Sequence, residues 1–160
     1  MNELKLKIEL TPSGVMYSSL LQYLRSMKRE KEWKILKGKL FVAEGEKCWI
    51  CGNSNRRLEA HEWWEYDDEM HVQKLSSVHH LCDLCHKIIH IGFSCYTPQG
   101  KQQLAQLGIS RKDLIGHFCQ VNGCLNETFI RHEKEAFDIW ERRSKFKWRQ
   151  DFGPYEGLVK

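Results

Sequence analysis

The stretch from Cys48 to His90 limits what this chain can fold into more than any other. It opens Cys48-Trp49-Ile50-Cys51-Gly52 and closes Leu81-Cys82-Asp83-Leu84-Cys85-His86-Lys87-Ile88-Ile89-His90. A Cys-x-x-Cys turn offers two sulfurs from one loop at the separation a tetrahedral ion needs. Two such turns complete the four-thiolate shell that zinc accepts. Cys48, Cys51, Cys82 and Cys85 are therefore expected to hold one structural zinc, with every coordination position filled by protein. The second pair stands where a helix should begin, and a helix N-terminus favours thiolates. Free thiols or a redox motif form the competing reading, which two pairs of identical spacing weigh against.

The residues between the pairs must bring them together. Leu58 to Tyr66 is rich in aromatics and reads as a strand, Asp67-Asp68-Glu69-Met70 as a hairpin turn, and Val72 to His80 as the returning strand. A short helix is predicted from Asp83 to about His90, with Gly92 as its stop. Residues 46–92 thus form an expected zinc-bound ββα core within an α+β fold, and the hairpin and helix together would be tied by the zinc.

The flanks read as support. Leu4, Leu6, Ile8 and Leu10 alternate with Lys5, Lys7 and Glu9, the period of a half-buried strand, closed by Thr11-Pro12-Ser13-Gly14. A helix is predicted from about Ser18 through Leu20, Leu21 and Leu24. A second carries Trp33, Leu36 and Leu40 and stops at Gly45. Residues 1–45 are thus a strand and two helices added to the core. In the extension 93–160, Thr97-Pro98 predicts a helix start and Ser110 with Asp113 a capping box. Asn126 is the expected cap of a last helix whose buried stripe is Phe129, Phe137, Trp140 and Trp148. Asp151 to Lys160 reads as a tail. The whole of 1–160 is expected to be one domain.

Composition excludes several classes. Of 160 residues, 41% are hydrophobic and 29% charged, a globular balance rather than a disordered one. No apolar run reaches the roughly 18 residues of a membrane span, and Met1-Asn2-Glu3-Leu4-Lys5 lacks a signal-peptide layout. The expectation is a cytoplasmic protein with no membrane partner. In that compartment disulfides are rare, so Cys95, Cys119 and Cys124 are expected as free thiols. Charge is unevenly spread: residues 1–39 carry nine Lys/Arg against four Asp/Glu, and residues 40–80 four against eight. Basic flanks can track a phosphate backbone, although a solvated helix face is the plainer reading of Lys28 to Lys39. An acidic centre resists phosphate unless a bound cation offsets it.

A second constellation lies beside the first. His86 and His90 are four apart on the predicted helix, a spacing that puts both rings on one face. His61 lies on the first predicted strand and can meet them once zinc pins strand to helix. Glu62, Asp67 and Asp68 are the candidate carboxylates. A divalent ion held by His61, His86 and His90 keeps positions open for water and phosphate. The plainer reading of either helical histidine alone is packing beside the zinc, or orienting a cysteine. Only one of His79 and His80 can face the helix. His71, His117 and His132 read as surface or packing residues.

These residues resemble the HNH endonuclease family, in its form with a four-cysteine zinc knuckle. The likeness is carried by Cys-x-x-Cys-Gly at Cys48 to Gly52 and by His61-Glu62-Trp63-Trp64-Glu65-Tyr66-Asp67-Asp68. Gln73-Lys74-Leu75 and the run Leu81 to Gly92 extend it. It is closest to a subgroup of small bacterial and phage proteins. The resemblance implies a ββα-metal fold and metal-dependent hydrolysis of phosphodiester bonds, with a strand histidine as general base and a helix histidine as metal ligand. Family members often have two such residues at the first position. If His61 is the base, Ala60 stands in the ligand's place; if His61 is the ligand, Glu62 stands in the base's place. Ser77 stands where the family has an orienting asparagine.

Two functions follow as expectations. The first is a nuclease acting on DNA, with structural Zn and a catalytic Mg, Mn, Ni or Zn at His61, His86 and His90, His61 as base and Glu62 assisting. The second is a non-catalytic zinc module that binds a protein or a nucleic acid, for example a phage-encoded effector or inhibitor, with Glu62 to Glu69 as its contact surface.

Overall fold

The computed structural model describes residues 3–159. Met1, Asn2 and Lys160, which bound the expected leaderless start and the expected tail, lie outside the described residues.

The centre is an antiparallel hairpin of β1 (Leu58–Asp67) and β2 (Val72–Cys82), followed without a linker by α3 (Asp83–Ile89). Asp67 shapes the hairpin tip by accepting the Glu69 and Met70 amides at 3.0 and 2.8 Å. Successive strand residues point to opposite faces, so Glu59, His61 and Trp63 share one face and Ala60, Glu62 and Trp64 the other. A bulge on β2 shifts the register between Trp63 and Trp64, and the Ser76 hydroxyl there donates to the Trp63 carbonyl at 3.0 Å.

Each face buries a different core. Ala60, Trp64, Val78 and Leu75 meet α1 (Leu20–Ser26) and α2 (Glu30–Glu44) through Leu20, Leu24 and Trp33. Ser19 caps α1 by accepting the Gln22 amide, and Lys28, at a φ of 59°, turns the chain into α2. The other core joins Ile50, Leu81 and Ile88 to α4 (Ile91–Tyr96), α5 (Pro98–Leu107), α6 (Arg111–Asn122) and α7 (Asn126–Arg143) through Ile91, Leu104, Leu114, Phe118 and Phe129. The predicted Thr97 cap and the Ser110–Asp113 capping box are both present. No helix among the described residues is long and apolar enough to cross a membrane.

Five expectations are corrected. Leu4 to Leu10 keeps its alternating burial, with Leu6 and Ile8 inside, but it is not a strand. Among the described residues no strand pairs with it; instead Asn122 Oδ1 accepts the Lys5 and Leu6 amides, His132 Nε2 the Ile8 amide, and the Ile89 carbonyl the Glu9 amide. Gly92 does not stop a helix. The chain bends at His90 and continues into α4, which contains Gly92. Asn126 is the first residue of α7, after Leu125 at the cap position. Trp148 is buried, but beyond the end of α7, where its indole N–H donates to the Arg143 carbonyl. The expected tail packs back: β3 (Arg149–Asp151) pairs parallel with Val72 to Lys74, a 3-10 turn spans Gly153–Val159, and Phe152 is buried between them. The result is an α+β fold with a small mixed sheet, in the order β1-β2-β3, flanked by helices.

Candidate metal centre

The first cluster forms where both knuckles meet. Cys48 to Gly52 turns tightly, with the Gly52 amide donating to the Cys48 carbonyl at 2.9 Å. Gly52 has a φ of 74°, which a side chain would strain. The Trp49 amide donates to the His80 carbonyl at 2.8 Å and fastens the knuckle to β2. Cys82 ends that strand and caps α3, and Cys85 lies one turn on. One sulfur from each of Cys48, Cys51, Cys82 and Cys85 falls within 4.8 Å of the others.

The sulfurs fit a tetrahedral ion. Zinc–sulfur bonds of about 2.3 Å set sulfur–sulfur edges of about 3.8 Å. Cys51 Sγ and Cys82 Sγ are 3.7 Å apart. Four crowded thiols, three of them buried, cannot all ionise without a cation. Hydrogen bonds from Cys82 and Cys85 draw the Cys48 thiol far below its ordinary range, while the same contact with Cys48 pushes Cys82 up to about 12 and Cys85 higher still. A bound cation removes that conflict. His117 Nε2 lies 3.2 Å from Cys85 Sγ, so this histidine, expected at the surface or in packing, is a direct neighbour of the shell. Asp83 is locked by Arg56 through paired hydrogen bonds at 2.5 and 2.9 Å.

The second cluster uses the hairpin face that carries Glu59, His61 and Trp63. One ring nitrogen from each of His61, His86 and His90 falls within 4.8 Å of the others. His61 Nδ1 and His90 Nε2 are 3.1 Å apart. Metal–nitrogen bonds of about 2.0–2.1 Å set tetrahedral edges of about 3.3–3.4 Å, so this pair also suits a shared ion. Burial is the main cause that holds His61 well below its ordinary range, with the neighbouring imidazoles adding to it, and the same cause takes His90 to about 3. Both rings are therefore neutral at physiological pH, the form that binds metal.

The carboxylates fall elsewhere than expected. Glu62 points to the opposite face, where it is buried and accepts the Leu20 amide at 2.8 Å. Asp67 shapes the hairpin tip, and Asp68 pairs with Arg143 at 2.8 Å. The carboxylate that reaches the cluster is Glu59, whose Oε2 engages His86 Nδ1. That bond holds the Glu59 carboxyl at about 2. A carboxylate on the rear nitrogen fixes the ring so that Nε2 faces forward, an arrangement common behind metal-bound histidines. Parity was the missed signal, since Glu59 stands two residues before His61. His79 lies across the hairpin from His61, stacks on Trp49 at 3.9 Å and binds Glu44 at 2.5 Å through Nδ1, outside the three-histidine group.

These two clusters make the protein a compact ββα-type module with two candidate metal sites. No family model, curated protein or solved structure matches the chain.

Proposed function

We propose that the chain is an HNH-type endonuclease that hydrolyses phosphodiester bonds in DNA. Cys48, Cys51, Cys82 and Cys85 would hold a structural zinc; His86 and His90, with His61 beside them, would hold a second divalent ion, Mg, Mn, Ni or Zn. The observation that carries this reading is the convergence of three imidazoles, two of them kept neutral by burial, beside a separate and complete four-sulfur shell. When bound, such an ion supplies Lewis-acid stabilisation of the charge that grows on phosphate and leaving oxygen.

The chain supplies the rest. Glu59 orients His86. Trp63 sits edge-on to the His61 ring at 4.8 Å and restricts its rotation. With His86 and His90 as the ligands, neutral His61 keeps one ring nitrogen without a hydrogen, and that nitrogen takes the proton of the attacking water. Glu62 drops out of the chemistry and serves the packing of β1 on α1.

The test is elemental analysis before and after mild chelation, alongside plasmid nicking with added Mg, Mn or Ni. The expected result is one retained zinc and a nicking activity that metal restores and His61→Ala abolishes. One zinc, no second ion and no nicking would turn the reading to a non-catalytic zinc module. The exposed acidic hairpin tip, with Glu65, Asp67, Asp68, Glu69 and a Met70 that is 71% exposed, favours a basic protein as the partner in that case.

A further inference from the structure

A cavity of about 680 Å³ opens directly beside the three-histidine cluster, and His86 and His90 form part of its wall. The rest of the wall is mostly apolar and aromatic: Phe93 and Tyr96 from α4, Phe137 and Trp140 from α7. Tyr96 and Phe137 meet edge to face at 5.1 Å, and Phe137 and Trp140 at 6.4 Å. Phe93 and Tyr96 are 44% and 55% exposed, unusual for rings that could have been buried in the adjoining core. Lys87 and Gln103 stand together on this wall, 3.2 Å apart. Ser94, another wall residue, has a buried hydroxyl with no hydrogen-bond partner among the described residues. The wall is held rigidly: a Cβ at Gly100 of α5 would fall 1.9 Å from the Phe93 carbonyl oxygen, so only glycine lets α5 approach α4 this closely.

We infer that this cavity is a base pocket, receiving one unstacked nucleobase of the nucleotide whose phosphate lies at His61, His86 and His90. The inference rests on the reading of that cluster as a phosphate-binding metal site. An anion alone has no use for four aromatic rings, and a purely apolar ligand has none for the imidazoles. A nucleotide has a phosphate at one end and a flat ring with polar edges at the other, and it answers both halves of the site. Lys87 suits the phosphate, while the Ser94 hydroxyl and Gln103 suit the base edge. A base inside a duplex cannot enter such a pocket without leaving its stack. The substrate class is therefore DNA with an unpaired nucleotide: a single strand, a mismatch or a flipped base.

The test uses the full chain with its zinc in place and Mg added, titrated with 2-aminopurine deoxyribonucleoside 5′-monophosphate, whose fluorescence falls on stacking. A saturable quench is expected. Phe93→Ala, at a half-exposed position that tolerates truncation, should weaken binding about 5- to 100-fold, and Phe93→Tyr, which keeps a ring, should restore it. The nucleoside without phosphate should bind more weakly than the monophosphate. No saturable quench, or equal affinity in Phe93→Ala, overturns the pocket. Equal affinity for the nucleoside overturns its link to the histidine cluster. Because the readout is binding, the two readings separate: a quench without nicking removes the nuclease and keeps the pocket, and nicking without a quench does the reverse.

Discussion

The four-cysteine and three-histidine clusters are built from the same hairpin and helix, yet they differ in what surrounds them. Cys48, Cys82 and Cys85 are buried in the larger core, and their shell is complete with protein sulfur. His61 is buried, but His86 and His90 are only partly so, and both border a cavity. One cluster is enclosed by the core; the other borders open space. The pairing teaches how one short helix can serve two environments: its first turn lies against the sulfurs in the core, and its last turn presents imidazoles toward the cavity.

The contrast can be broken most severely at the sulfur site. Structural zinc in small modules is worth about 10–16 kcal/mol, comparable with the roughly 5–15 kcal/mol that holds a typical domain together. Cys82→Ser should therefore abolish the cooperative thermal transition and lower the zinc content. A variant that melts like the parent with one zinc still bound would show that the shell does not carry the fold.

At the histidine site the same kind of deletion should leave the fold alone. His90→Ala is expected to reduce metal-dependent nicking by about 100-fold or more while retaining zinc and shifting the melting temperature by only a few degrees. If the melting temperature instead collapses as in Cys82→Ser, both clusters are structural and the distinction fails.

Glu59→Gln sharpens the comparison further. It removes the carboxylate behind His86 without touching a ligand, so the affinity for added Mg or Mn, read by calorimetry, should fall about 10- to 100-fold while the zinc content stays unchanged. Unaltered affinity would reduce Glu59 to a surface partner of Arg57, which lies 3.6 Å away.

The smallest effect is expected at His117→Ala. Losing its contact with Cys85 should cost about 1 kcal/mol and speed the loss of zinc to a chelator. An unchanged release rate would make His117 a packing residue only.

Much of the centre was legible in the residue order because local chemistry and tertiary demand agree there. The two Cys-x-x-Cys turns, the aromatic-rich run from Leu58 to Tyr66 and the i, i+4 histidines each permit few conformations, and the structure brings the named cysteines and histidines together. Glu62 was misjudged because adjacency in sequence was taken for adjacency in space, whereas a strand sends neighbours to opposite faces. The N-terminal strand failed for a different reason. Alternation reports which side is buried, not what accepts the backbone donors, and here the acceptors are the Asn122 and His132 side chains, more than a hundred residues away, and the Ile89 carbonyl. The returning tail was invisible because Gly153 and Pro154 read as loop, while the partner that recruits Arg149 to Asp151 is a strand edge elsewhere in the chain.

Those distant acceptors also set an order of events. The amides of Lys5 and Leu6 find their native acceptor only at Asn122, and that of Ile8 only at His132, each more than a hundred residues further along the chain. Leu6 and Ile8 are made before the zinc knuckles and the α6–α7 pair, and their native seat exists only once those elements do. The segment thus behaves as a latch that closes on elements made long after it.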